Sequence, residues 1–179
     1  MHPAVFLDRD GTIIEDRGYI NDPLDMVFYP ESFKSLGLLQ EYFLLFIITN
    51  QSGISKGIIT EKEVKEINNY LVESLKARGI IIYDLFCCPH KTEDNCVCKK
   101  PSPYFINKAA RMYNLNLAES FIIGDHPSDV ECGINAGVTP IYLLSGHGIK
   151  HRVEVRQGIK ICNNILDAAN YILFKNDEK

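Results

Sequence analysis

The sequence predicts an α/β fold, a Rossmann-like three-layer sandwich around a mainly parallel sheet. Short apolar runs of strand length alternate with helix-length segments, and the polar clusters follow the runs. No repeat, low-complexity stretch or linker divides the chain, so a single domain over residues 1–179 is expected, with no large cap or second lobe.

The strands are expected at Ala4 to Leu7, Leu44 to Ile48, Tyr83 to Cys87, Phe121 to Ile123 and Pro140 to Leu144, apolar runs too short for buried helices. Ser32 to Tyr42 reads as a helix. Thr60 to Arg78 is the clearest one: Thr60 and Glu63 form a capping box, Val64, Ile67, Leu71 and Leu75 recur on one face, and Gly79 ends it. Pro103 suits the first position of a helix running to Tyr113, Ser128 to Ala136 is a short helix stopped by Gly137, and Ile165 to Phe174 closes the fold. The stretch after Gly148 is otherwise poor in signals.

Composition sets limits on partners. Apolar residues make up 46% of the chain, enough for a sizeable core, and the formal net charge is −4 with no lysine and arginine tract. An extended nucleic-acid or anionic-membrane surface is therefore not expected, and an anionic ligand must be held locally. The longest apolar run, Phe43 to Ile48, is far too short to span a bilayer, so a cytoplasmic location is expected; the chain is also expected to be a monomer. Six cysteines in that compartment stay reduced, which favours metal-ligand or core roles over disulfides.

Phe6 to Thr12 reads Phe-Leu-Asp-Arg-Asp-Gly-Thr, an apolar strand that delivers Asp8 and Asp10 to the sheet edge before a glycine turn. Two carboxylates this close repel unless a hard cation sits between them, so the pair implies bound Mg2+ or one raised pKa. A phosphate-transfer centre meets both conditions; a strand followed by an Asp-rich turn is the plainer explanation. Other strand ends carry matching chemistry. Thr49, Asn50, Gln51, Ser52 and Gly53 offer hydroxyl, amide and backbone N–H groups to phosphate oxygens; Lys99 and Lys100 offer positive charge; Gly124-Asp125 follows the fourth strand, with Asp129 one helical turn on. Singly, these are a turn, a solvated patch and a helix cap. Their recurrence at successive strand ends favours a shared site.

Cys88-x-His90 and Cys96-x-Cys98 place three thiols and an imidazole in one irregular stretch, the number and softness of ligands that tetrahedral Zn2+ takes. With every position filled by protein the zinc would be structural and would stiffen the loop carrying Lys99 and Lys100. Cys87, Cys132 and Cys162 read as core residues.

The series Asp8-Arg9-Asp10-Gly11-Thr12, Thr49, Lys100 and Gly124-Asp125…Asp129 resembles the haloacid dehalogenase superfamily of phosphotransferases. Within it, Phe6 to Thr12, Gly18-Tyr19, Thr49 to Ile54, and Cys88-Pro89-His90…Cys96-Val97-Cys98-Lys99-Lys100-Pro101 resemble the D-glycero-D-manno-heptose 1,7-bisphosphate phosphatases, over roughly Val5 to Gly148. Histidinol-phosphate phosphatases share the nucleophile and metal loop and are the rival. The resemblance implies a Mg2+-dependent phosphatase that removes the C7 phosphate and serves surface-polysaccharide synthesis. In it Asp8 is the nucleophile and Asp10 the general acid and base. Asp8, the Asp10 backbone carbonyl and Asp125 hold Mg2+, Asp129 serves as a supporting or capping residue, and Thr49 and Lys100 grip the transferring phosphoryl group. Asp16, Arg17, Gly18, Tyr19 and the Asn50 to Gly53 loop match substrate-contacting segments, with Arg17 available to a second phosphate.

Two positions depart from that family. Lys99 stands where arginine is usual before the motif lysine, and His126 where a basic residue usually follows the motif aspartate. Both soften fixed positive charge, since lysine lacks the planar fork and histidine titrates near neutrality. The alternatives are a phosphatase for another small ester, histidinol phosphate first, and an inactive zinc-stabilised binding module; the intact Asp8 and Asp10 pair speaks against the latter.

Overall fold

The computed structural model describes residues 1–177. Six strands form one sheet in the order β3-β2-β1-β4-β5-β6: β1 Ala4–Leu7, β2 Leu44–Asn50, β3 Ile82–Cys88, β4 Phe121–Gly124, β5 Thr139–Leu143 and β6 Lys160–Cys162. Every pairing is parallel, so each connection must cross back over the sheet. Strand order reverses between β1 and β4, the place where open parallel sheets leave a crevice beyond their carboxyl ends. Asp8 follows β1 and Asp125 follows β4, so the topology alone sets both beside that crevice.

Helices α1 Ser32–Leu39, α2 Glu61–Lys76, α3 Tyr104–Tyr113, α4 Pro127–Ala136, α5 Gly148–His151 and α6 Ile165–Asp177 complete the layers. The central strands alternate cleanly between two cores. Val5, Leu7, Leu45, Ile47, Phe121 and Ile123 pack with Leu36 of α1, Ile67 and Leu71 of α2 and Ala168 of α6. Ala4, Phe6, Phe46, Ile48 and Ile122 pack with Ile106 of α3 and Cys132 of α4 on the other face. Burial on both faces is why these strands read as continuous apolar runs.

Most element ends fall within a few residues of expectation. Thr60 caps α2 from outside the helix, with its side chain accepting from the Glu63 N–H and its own N–H donating to the Glu63 carboxylate. Pro103 lies at the cap of α3 rather than inside it, and α4 starts at Pro127, one residue before the expected Ser128, with His126 as its N-cap. The ladder carries β2 on through Thr49 and Asn50 because both pair with β3. Short α5 and the three-residue edge strand β6 were not foreseen; β6 buries only Cys162, too little apolar patterning to register as a strand. Among the described residues no helix is long and apolar enough to cross a membrane.

Candidate active site

A cavity of about 840 Å3 opens over the carboxyl ends of β1, β2 and β4, lined by Asp8, Asp10, Thr49, Lys100, Asp125 and Asp129 at its floor. Asp16, Gly18, Tyr19, Asn50, Gln51, Ser52, Lys99, His126 and His147 form its walls. Sequence positions from 8 to 147 thus converge on one space.

Lys100 sits at the centre of the floor, 4% exposed. Its ammonium donates to Asp8 Oδ1 at 2.5 Å and to the Ile48 carbonyl at 2.8 Å, and lies 2.6 Å from Asp129 Oδ1. Its main chain is fixed by Asn50, whose Oδ1 accepts from the Lys100 N–H and whose amide donates to the Lys100 carbonyl. Burial disfavours the charged amine, but Asp129 and Asp8 outweigh it and hold the Lys100 pKa above its ordinary value. The pair of carboxylates keeps one fixed positive charge where an anion would enter.

The acidic side is short of cations. Asp8, Asp125 and Asp129 bring carboxylate oxygens within 4.8 Å of one another. Burial, with the neighbouring carboxylates adding to it, pushes Asp8 up to about 7 and Asp125 up to about 8. Asp125 Oδ2 accepts from the His147 N–H at 2.7 Å, and Gly11 and Gly146 pack so close that a Cβ on either would lie within 2.2 Å of that oxygen. Asp8 Oδ2 and Asp125 Oδ1 have no hydrogen-bond partner among the described residues. Two free hard oxygens on raised carboxylates are the donor set that suits Mg2+, which keeps most of its ligands as water. Asp129 is less suited: one oxygen faces Lys100 and the other accepts from the His126 N–H, capping α4.

For Asp10 the expected metal-binding atom is the backbone carbonyl, with the side chain kept for acid and base work. Its carboxylate is not part of the acidic group, because Arg9 and Gln51 hold both of its oxygens, and the main-chain carbonyl is the atom left for a metal. The Arg17 guanidinium is half-exposed, pairs with Glu15 at 3.0 Å and stands outside the cavity lining, between Asp16 and Gly18, which belong to it. Gly53 likewise lies under the Tyr19 ring, where a Cβ would come within 2.4 Å, so it supports the wall without lining it. Gln51 spends its amide on Asp10 and Thr49, both at 2.8 Å. His126 accepts from the Ser128 N–H, and burial lowers its pKa, so it adds little fixed charge.

Residues beyond the expected set join the site. Ser145 donates to the Gly11 carbonyl at 2.6 Å, and His147 Nε2 lies 2.9 Å from Asp16 Oδ2, tying the loop after β5 across the crevice. Ser145-Gly146-His147 follows its strand as the other polar clusters follow theirs, a signal that reading polar residues after every strand would have caught. Lys91, Thr92 and Asn95 also face the cavity from the cysteine loop.

Cys88, His90, Cys96 and Cys98 form a closed group. Sulfur to sulfur separations are 3.6, 3.2 and 3.8 Å, and His90 Nδ1 lies 3.6 and 3.4 Å from the Cys88 and Cys98 sulfurs. Ligands bound tetrahedrally at about 2.3 Å for sulfur and about 2.0 Å for nitrogen would be separated by about 3.8 Å between sulfurs and about 3.5 Å between sulfur and nitrogen. Burial pushes Cys88 up to about 12, so a cation would be needed to keep it as a thiolate.

Residues 97–168 match a family model described as HAD-hydrolase-like. The chain is 41% identical over 149 residues to a D-glycero-beta-D-manno-heptose-1,7-bisphosphate 7-phosphatase of Helicobacter pylori, covering 82% of this chain and 86% of that one. Over 180 residues it is 33% identical to the enzyme of the same name from Pasteurella multocida, covering 97% and 92%. A crystal structure of D,D-heptose 1,7-bisphosphate phosphatase from B. bronchiseptica, complexed with magnesium and phosphate, superposes with a TM-score of 0.88 at 27% identity over 97% of this chain and 99% of that one.

Proposed function

The chain belongs to the D-glycero-D-manno-heptose 1,7-bisphosphate 7-phosphatase family of haloacid dehalogenase-type phosphatases, and from that premise we propose how its own residues carry out phosphate-ester hydrolysis. The substrate is the heptose bisphosphate, and the product keeps one phosphate, as expected of a precursor for surface polysaccharide. The observation that carries the reading is the floor of the cavity: a nucleophile-type carboxylate, Asp8, 2.5 Å from a buried ammonium, with a second carboxylate, Asp10, two residues on.

An Asp8 oxygen attacks phosphorus, and the bond from phosphorus to the sugar oxygen breaks as Asp10 gives that oxygen a proton. Water then loses a proton to Asp10 and attacks the aspartyl phosphate, releasing inorganic phosphate and restoring Asp8. One group serves both steps because the second needs the proton state that the first leaves. Lys100 and Thr49 are in place before charge redistributes, which is where preorganised donors act most strongly. Asp8, Asp125 and the Asp10 carbonyl would hold Mg2+, whose charge would offset that of the phosphoryl oxygens. Lys99, His126, His147 and Tyr19 line the walls, where they are available to the remainder of the ligand. Zn2+ on Cys88, His90, Cys96 and Cys98 would brace the loop that ends in Lys99 and Lys100.

The test is phosphate release with Mg2+ from a panel containing heptose 1,7-bisphosphate and histidinol phosphate, with Asp8→Asn alongside. The bisphosphate should give the higher kcat/KM, and Asp8→Asn should lower kcat by more than about 1,000-fold while remaining folded. Turnover by that variant would sink the nucleophile assignment, and preference for histidinol phosphate would sink the substrate.

A further inference from the structure

Arg9 lies between the two aspartates in sequence, yet it is 1% exposed and among the largest fully buried side chains. A buried guanidinium must have its charge and donors matched, and the partners found here are informative. Nε donates to Asp10 Oδ2 at 3.0 Å and Nη2 to Asp10 Oδ1 at 3.1 Å, a two-point fork on one carboxylate. Nη1 donates to Asn68 Oδ1 at 2.7 Å. Asn68 stands on α2 in the buried stripe of Val64 and Leu71, where helical periodicity calls for an apolar residue. It borders a separate groove between α2 and β3 and does not line the catalytic cavity.

The fork and the Gln51 amide also divide the two oxygens of Asp10. Oδ2 accepts from both Arg9 Nε and Gln51 Nε2 and also lies 3.0 Å from Arg9 Nη2, whereas among the described residues Oδ1 accepts from Arg9 Nη2 alone. A carboxylate oxygen has about two acceptor sites, so Oδ1 is the one with a site to spare. The geometry points to Arg9 and Asn68 as positioning residues. Helix α2, acting through the Asn68 carbonyl and the Arg9 guanidinium, fixes the plane of Asp10 so that Oδ1 carries the proton exchanged with the leaving oxygen and then with water. This rests on the acid and base role proposed for Asp10.

The test exploits the leaving group, since an aryl oxide departs without a proton and a sugar alkoxide does not. Single-turnover rates would be compared on heptose 1,7-bisphosphate and p-nitrophenyl phosphate for Asp10→Asn, Asn68→Ala, Asn68→Asp and Arg9→Lys. Asn68→Ala should slow the sugar ester by about tenfold or more with KM within about twofold, and slow nitrophenolate release far less, in line with the cost of misplacing a catalytic group by about 1 Å. Asn68→Asp, which keeps an acceptor in place, should recover most of the loss. Arg9→Lys, without a planar fork, should resemble Asn68→Ala; should it fail to fold, the Asn68 pair carries the comparison. Equal losses on both esters for Asn68→Ala, or none, would overturn the clamp while leaving the role of Asp10 intact if Asp10→Asn alone discriminates. Absence of discrimination in Asp10→Asn itself would overturn both.

Discussion

Lys100 and Asp8 are separated by 92 positions in the chain and by 2.5 Å in the fold. Asp129 closes the other side of the ammonium at 2.6 Å, so a single buried lysine is shared by two carboxylates, one just after β1 and one in the first turn of α4. Removing it leaves buried anions facing an empty space, and removing one partner of a buried pair costs far more than the pair itself contributes.

Lys100→Met should therefore lower kcat by at least about 100-fold, the usual effect of deleting one preorganised donor to a developing oxyanion. It should also lower the melting temperature in EDTA at pH 8, where Asp8 and Asp129 lose their shared cation. Steady-state kinetics and a thermal melt check both. Unchanged kcat would remove Lys100 from the phosphoryl site.

The raised carboxylates set a pH dependence in the metal-free protein. Asp8 moves from an ordinary 3.8 to about 7 and Asp125 from 3.8 to about 8, each mainly through burial. The folded state then binds more protons at these two groups than the unfolded state between those values, so the stability they contribute is fully present below about pH 4 and is lost as pH rises to about 8. Melts in EDTA should fall by several degrees from pH 5 to pH 8. Added Mg2+ should flatten the slope, because bound cation favours the ionised forms. A slope unaffected by Mg2+ would show that these two groups are not its ligands.

Zinc should copurify at about one ion per chain, the number of four-ligand sites that the cysteine loop supplies. Cys96→Ser should release it, lower the melting temperature and reduce kcat/KM by about tenfold through Lys99 and Lys100, an effect of the size seen when metal-site supports are lost. Metal analysis with kinetics separates the two outcomes: zinc loss without a change in kcat/KM would confine the ion to stability.

Thr60→Ala offers a contrast remote from the chemistry. Loss of the N-cap of α2 should cost about 1 kcal/mol, or about 2–4 °C in a chain of this length, with kcat and KM unchanged. A change in kcat would mean that movement at the start of α2 reaches the site.

The sequence by itself determined the α/β class, the strands β1, β2 and β4, the capping box of α2 and the chemistry after each of those strands. Such features are local: apolar runs of strand length, a Thr and Glu three apart, and polar residues immediately following a buried run need only neighbouring residues to be recognised. In a parallel sheet those strand ends all lie along one edge, so Asp8, Thr49 and Asp125 could be grouped without coordinates.

Only the tertiary structure decided how the grouped residues divide their partners. Asp129 turned out to be a counter-ion of Lys100, Arg17 paired with Glu15, and Asp10 was gripped by Arg9 and, behind it, Asn68. Buried hydrogen-bond and ion-pair choices depend on side-chain directions and distances across strands that are far apart in sequence, and in a low-dielectric floor each choice excludes others. Residue types and spacing carry no record of that competition, which is why the chemistry could be read from the chain while the assignment of each oxygen and each donor could not.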